Sequence, residues 1–293
     1  MAFDGIVLSR VTELLKETIV TGRISKLYQI SKYELLMTVR AQNENKKLLV
    51  SIHPMYARVQ LTQLNYPTPD FPNALTMFLR KHIEGSFIER IEQVGLDRIL
   101  KITLRGRNEF KDLVEYHLYI EIMGKHSNFI LTNKEDKILE CLKRVSPSDS
   151  IRIMQPGITY SSPPLLDKKN PFENTPETTN LVKEFEGFSK DLAEEAASRM
   201  EQGEDFKTIM SEIKESKELY ITRGDKEKYH VIPLHCFGKK IDQYSLFDGL
   251  DAYYQFIDQK DRIKQQTSDI LHFIQKEYTK NVNKLCLLYT SDA

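Results

Sequence analysis

The sequence predicts an α+β protein built mainly from antiparallel strands, carrying a helical hairpin insertion and ending in a long helix. Three observations predict it. Through residues 23–132 apolar and polar residues alternate in short runs separated by polar turns, the period of half-buried strands. Helical spacing interrupts this pattern near the start and again before residue 85. From about residue 161 the composition turns Pro-rich and polar in "SSPPLLDKKNPFENTPETTN", and helical periodicity dominates most of the remaining chain.

A first helix is expected over 6–18, where Val7, Val11, Leu14, Leu15 and Ile19 fall near helical spacing. "RISKLYQI" (23–30), "YELLMTVRAQ" (33–42), "KKLLVSI" (46–52) and "RVQLT" (58–62) read as a meander of strands. Three prolines in "NYPTPDFPN" make 65–73 a loop. The next helix, "ALTMFLRKHIEG", enters at Pro72 or Asn73 and stops at Gly85. It places Leu75, Phe78, Leu79, His82 and Ile83 on one stripe, with Arg80 and Lys81 facing away. Four more strands are expected in "SFIERIEQV", "DRILKITLR", "YHLYIEIM" and "SNFILT".

Residues 1–172 thus form the first part of a sheet domain, and 173–217 a helical unit. In that unit "NLVKEFEGF" and "SKDLAEEAASRMEQG" are expected as helices meeting at Gly187, with Ser189 as N-cap. "GFSKDLA" is similar to a helix-hairpin-helix turn, whose N-terminal backbone N–H groups can hold a phosphate; plain packing of an αα-hairpin gives the same pattern. Residues 218–246 alternate like strands returning to the sheet. One long polar helix is expected from 247 to 285, with Ile263, Ile270, Leu271, Ile274 and Tyr278 in need of a partner surface. Residues 286–293 break the charge-rich pattern and are read as a non-native tail on a truncated chain.

Composition excludes several classes. No apolar run approaches a membrane span, and "MAFDGIVLSRVTELL" lacks the basic start of a signal peptide, so a cytoplasmic protein is expected. Cys141, Cys236 and Cys286 are odd in number and far apart, which argues against disulfides and zinc ribbons. The seven histidines show no metal-ligand spacing, and neither metal nor cofactor is expected. Net charge is zero, yet residues 1–160 carry 23 Lys/Arg against 18 Asp/Glu. A basic front half suits a polyanionic partner, as it also suits an ordinary solvated surface. There is no phosphate-binding glycine loop, G-x-S-x-G or H-E-x-x-H, so a binder is expected rather than an enzyme.

"GLDRILKITLRGR" (95–107) poses the sharpest local question. Strand alternation places Arg98 with Leu100, Ile102 and Leu104 on the apolar side, and a guanidinium buried there needs a carboxylate or a bound partner. Asp97 is the nearest candidate.

Taken in order, "FDG" (3–5), "GRISKLYQ" (22–29), "SIHP" with Arg58, "LRKHIEG" (79–85), "GLDRI" (95–99), "RNE" (107–109), "IEIMGKHSN" (120–128), "PG", "Y" and "PP" within 156–164 and "NPF" (170–172) resemble the N-terminal part of the NFACT family, in its bacterial RqcH or fibronectin-binding protein A branch. The resemblance implies an N-terminal domain similar in fold to that of formamidopyrimidine-DNA glycosylases, then a helix-hairpin-helix unit and the start of a coiled coil. It implies a ribosome-associated quality-control factor that binds the obstructed large ribosomal subunit and recruits alanyl-tRNA, so that alanine tails grow on stalled chains. The family's "DR" signature falls on Asp97 and Arg98, implying tRNA contact there, with Glu121, Ile122, Lys125 and His126 beside it. His53, Arg58, Arg80, Lys81, Arg105 and Arg107 are candidate phosphate contacts; a solvated charged face explains these too. Two other readings compete. The family's older name implies a fibronectin-binding adhesin, which the missing export signal disfavours. Glycosylase chemistry would need an N-terminal proline and glutamate, where this chain begins Met-Ala-Phe-Asp.

Overall fold

The computed structural model describes residues 3–108, 110–148, 152–164 and 167–291. Glu109 of the "RNE" motif lies outside the described residues. So do residues 292 and 293 and the side chains of 286–291, on which the expected tail falls.

Helix α1 (Gly5–Ile19) starts where the Asp4 carboxylate accepts the Val7 N–H at 2.9 Å. Its stripe of Ile6, Val7, Val11, Leu15 and Ile19 is fully buried and lies across the sheet. Strands β1 (Arg23–Ser31), β2 (Glu34–Ala41), β3 (Glu44–Ser51) and β4 (Arg58–Thr62) form the expected meander. Asn73 caps α2 (Ala74–Ile83), and Gly85, with φ +87°, turns the chain back into the sheet. Strands β5 (Phe87–Gln93), β6 (Ile99–Arg107), β7 (Leu113–Glu121), β8 (Asn128–Asn133) and β9 (Ile138–Cys141) come next. The resulting nine-stranded antiparallel sheet has the order β4-β3-β2-β1-β5-β6-β7-β8-β9. Its central seam between β1 and β5 is closed by backbone bonds from Thr21 to Ile88, Ile88 to Gly22 and Ile24 to Ser86, at 2.8–2.9 Å.

Both faces of β6 are covered at its start. Leu100, Ile102 and Leu104 are buried on one face, while Ile99 joins Tyr119, Ile130, Ile138, Cys141, Met154 and Tyr160 in a second core on the other. The alternation expected for this strand is present from Ile99 onward. Arg98 precedes the strand, in the turn after β5, so the parity argument for its burial does not reach it.

Beyond β9 come the short α3 (Leu181–Glu184), α4 (Lys190–Glu201) and α5 (Phe206–Glu215). The helix expected in "NLVKEFEGF" ends early because Phe185 is extended and the flanking backbone pairs with Lys169: Lys169 N–H to Glu184 O at 2.8 Å, Glu186 N–H to Lys169 O at 3.0 Å. Helix α5 was not expected, although Phe206, Ile209, Met210 and Ile213 line its buried stripe at helical spacing. Residues 218–246 require a correction: β10 (Glu218–Arg223), β11 (Lys228–His230) and β12 (Lys240–Ser245) form their own sheet, in the order β11-β10-β12, and do not rejoin the large one. Hairpin partners close in sequence occupy both edges of β10, and short loops cost less closure entropy than a return to a distant edge.

Helix α6 runs from Leu246 to Ser291, and the chain divides into two compact units after Asp251. The second unit is the remainder of this helix, with Ile263, Ile270, Ile274 and Tyr278 exposed along it. Among the described residues, no helix is long and apolar enough to cross a membrane.

In the first unit, Asp251 accepts from Gln60 Nε2 at 2.7 Å, Thr62 Oγ1 at 2.7 Å and Gln63 N at 2.9 Å, which ties the start of α6 to edge strand β4. Burial holds its carboxyl above the ordinary range, against the opposing pull of the Thr62 hydroxyl, the Gln63 N–H and Arg58. Asp251→Ala takes the acceptor from the buried Gln60 and Thr62 side chains and is expected to cost about 1–3 kcal/mol, read as a lowered denaturant midpoint at unchanged slope.

Candidate nucleic-acid interface

Three chain segments meet at the start of β6. Gly5 N–H donates to Gly187 O at 3.1 Å, and Gln93 Nε2 donates to both Gly5 O at 2.9 Å and Asp97 O at 2.8 Å. The approach is so close that a Cβ on Gly5 would sit 2.0 Å from Leu96 O and 2.6 Å from Gly187 Cα. Gly187 itself has φ +75°, a left-handed conformation that favours glycine.

The crossing leaves a cavity of about 420 Å³, lined by Asp4, Gly5, residues 94–98, Lys168 and residues 186–191. Two helix N-termini border it: α1, capped by Asp4, and α4, capped by Ser189 Oγ accepting the Leu192 N–H at 3.3 Å. Each presents the partial positive end of a helix, a natural seat for an anion. The lining carboxylates are already engaged. Asp97 Oδ1 accepts the Arg98 N–H at 2.7 Å, Glu186 accepts the Leu96 N–H at 3.2 Å, Asp191 pairs with Lys228, and Asp4 faces His230 at 3.3 Å. Burial raises the Asp4 carboxyl, but the facing His230, the Ser189 hydroxyl and the Val7 N–H outweigh it and hold the group below the ordinary range. Arg98, Lys168 and Lys190 bring cationic character to the same cavity.

The sequence-derived candidates fall into separate places. Asp97 and Arg98 lie together in the cavity wall, and Arg98 O accepts the N–H of Ile122, whose own side chain is buried. Glu121, 1% exposed, is held by both terminal nitrogens of Arg152 and by Tyr160 OH at 2.8 Å, on the second-core face. Lys125 and His126 are exposed in the 3-10 turn Gly124–His126, near His53. Arg80 donates to Leu27 O at 3.0 Å and lies over the Tyr28 ring, while Lys81 is exposed on the same helix. Arg105 pairs with Glu89 at 2.7 Å, and Arg107 donates to Lys111 O at 2.7 Å, both at the far end of β6. Arg58, 1% exposed, donates to Gln60 Oε1 at 2.9 Å and Tyr56 O at 3.2 Å, so its guanidinium serves the interior.

Sequence reasoning did not single out Arg152, Lys168 or Glu186. Their roles depend on contacts made across the fold, though the Ser189 cap and "GFSKDLA" were a local signal for one wall of the cavity. Among the described residues, no group of three or more His, Cys, Asp or Glu is placed to hold a metal ion.

The cavity thus gathers two helix N-termini, a turn-borne Arg and two lysines beside four engaged carboxylates on a protein built around an antiparallel sheet. Residues 4–291 match the family described as NFACT N-terminal and middle domains, and the chain belongs to that family. The Rqc2 homolog RqcH of Bacillus subtilis is 38% identical over 309 residues, covering 97% of this chain and 54% of that protein. The ribosome quality control complex subunit NEMF of Homo sapiens is 25% identical over 151 residues, covering 51% of this chain and 13% of NEMF. Among solved structures, the N-terminal part of the fibronectin/fibrinogen-binding protein of Streptococcus suis superposes with a TM-score of 0.78 at 34% identity, over 86% of this chain and 99% of that one. The chain therefore spans about half the length of the bacterial relative it matches.

Two outcomes are expected. Glu121→Ala should lower stability by about 3 kcal/mol, because it leaves the Arg152 guanidinium without its carboxylate, and adding Arg152→Ala should recover part of that loss in a double-mutant cycle read by thermal melting. The Asp4 carboxylate is favoured in the folded state, so its contribution is full above the unfolded-state pKa of about 3.9 and fades as pH falls through the lower folded value. Denaturant midpoints should thus drop more steeply below about pH 4 for the wild type than for Asp4→Asn, which removes that titration.

Proposed function

We propose that this chain is the tRNA-binding front part of a ribosome-associated quality-control factor, acting in the cytoplasm as a binder rather than an enzyme. The observation that carries the reading is the cavity in which Asp97 and Arg98 meet two helix N-termini. On this reading Arg98 meets a phosphate or base edge of the RNA, and Asp97, whose Oδ1 accepts the Arg98 N–H, fixes the turn that carries it. The name of the human relative supplies the ribosomal context. In the whole protein, the partners on this reading are alanyl-tRNA and the obstructed large ribosomal subunit, with alanine tailing of stalled chains as the outcome. A second reading, fibronectin binding, is favoured by names, that of the Streptococcus suis protein among them.

The test is tRNA capture by wild type and Asp97→Ala/Arg98→Ala. Both residues sit in a half-buried turn and not within the strand core, so the double variant is expected to lose about 1 kcal/mol of stability while tRNA capture falls sharply. Wild-type capture should weaken steeply with salt, since phosphate contacts release counterions. Undiminished capture by the double variant would remove the pair from the interface, and retention of fibronectin without tRNA would favour the second reading.

A further inference from the structure

A second surface, where the loop after β3 meets the Gly124–His126 turn, has the makings of an RNA contact. The β1–β2 turn carries Lys32 and Tyr33, and the loop after β3 carries His53, Met55 and Tyr56. Tyr33 meets the His53 ring edge-on, with centroids 5.5 Å apart, and His53 stacks on Tyr56 at 4.8 Å with the planes 8° from parallel. The His53 ring is fixed in place: its Nδ1 accepts the Met55 N–H at 3.2 Å, so in the neutral ring Nε2 carries the proton. All three rings are part-exposed, and Met55 beside them is 70% exposed.

Cations frame the rings. Lys32 and Lys143 each hold an ammonium 5.3 Å from the Tyr33 centroid. Lys143 also fastens the surface together, donating to Ile52 O at 3.1 Å and Lys125 O at 3.3 Å, so the His53 loop and the Gly124–His126 turn are joined through one ammonium. Partial burial and the like charge of Lys32 hold the Lys143 amine below the ordinary lysine range. Lys125 and His126 extend the basic rim. Gly124 lies against the loop, where a Cβ would make an ordinary contact with Pro54 O at 3.5 Å.

We propose that Tyr33, His53 and Tyr56, with Lys32, Lys125 and Lys143, form a second RNA contact that takes unpaired nucleotides, the rings stacking on bases and the ammoniums meeting the flanking phosphates. The inference rests on the RNA-binding reading and adds a site distinct from the Asp97–Arg98 cavity. Part-exposed rings select unpaired bases, because a paired base keeps both faces within its own helix. A purely electrostatic patch for acidic protein would need the lysines but not the rings.

The test titrates the whole chain with a fluorescent oligouridylate at low and moderate salt. Tyr56→Leu should weaken binding about tenfold, and Tyr56→Phe, which keeps the ring, should restore it. Lys32→Glu/Lys125→Glu, at exposed positions, should weaken binding and flatten the salt dependence by about 0.7 in log–log slope for each phosphate no longer engaged. Unchanged affinity in the charge-reversal variant, equal losses in Tyr56→Leu and Tyr56→Phe, or polyglutamate binding as tight as oligouridylate would each overturn the proposal. Capture of tRNA by Asp97→Ala/Arg98→Ala, measured alongside, separates the two sites. Loss of tRNA there with oligouridylate unaffected by the ring and lysine variants removes the second surface and leaves the cavity. The reverse pattern removes the cavity and leaves the surface.

Discussion

The close crossing of Gly5, Leu96 and Gly187 is the constraint on which the candidate site depends. Three backbones pass within a distance that no Cβ at residue 5 could share, and Gly5 and Ile6 both donate to Gly187 O, at 3.1 and 3.4 Å. This contact brings the start of α1, the turn before β6 and the start of α4 to one place, although they are far apart in sequence. Helix N-termini on either side then arise from local chemistry alone: Asp4 and Ser189 are both cap residues with side chains turned to their own helices. The cavity is a consequence of the crossing, and the two helix starts that border it are set by the caps.

The distribution of carboxylates bears on what the cavity can take. By simple count the lining is mixed, with Asp4, Asp97, Glu186 and Asp191 against Arg98, Lys168 and Lys190. The acids, however, are engaged in holding the fold: a helix cap, a turn, a backbone N–H and a lysine. A carboxylate already accepting such bonds offers less to an incoming cation and opposes an incoming anion less than its formal charge suggests. Charge counted from sequence is therefore a poor guide to what this cavity would take, and the hydrogen-bond partners are the better one.

Much of the fold was legible because its signals are local. The alternation in "YELLMTVRAQ", the proline loop before Asn73 and the stop at Gly85 each depend on neighbouring residues, and α2, β2 and their boundaries lie close to where those signals place them. The site was legible only in outline. Strand parity places Arg98 on the apolar face only if the strand begins before Ile99; Asp97 Oδ1 instead bonds the Arg98 N–H and holds a turn. Glu121, at the end of a strand, suits a structural ion pair, but nothing local announces the partner: Arg152 lies 31 residues away and reaches it across the second core. The return of residues 218–246 to the large sheet failed for a related reason: strand character is local, whereas the choice of partner edge is not.

Register assigns the charged candidates of the second half of the sheet to opposite ends of β6. Phe87 pairs with Arg105, while Gln93 pairs with Leu100 and Ile99 with Glu121. Asp97 and Arg98 thus stand at one end, with Lys125 and His126 just past the end of β7, and Arg105 and Arg107 stand at the other, where Arg23 joins them around a second groove. The strand between is nine residues long, or about 30 Å at the usual rise. A single phosphate cannot be shared over that span. Any RNA that engages both ends must run along the sheet domain, and a short RNA held at the Arg98 end leaves Arg105 and Arg107 to their present partners, Glu89 and the Lys111 carbonyl.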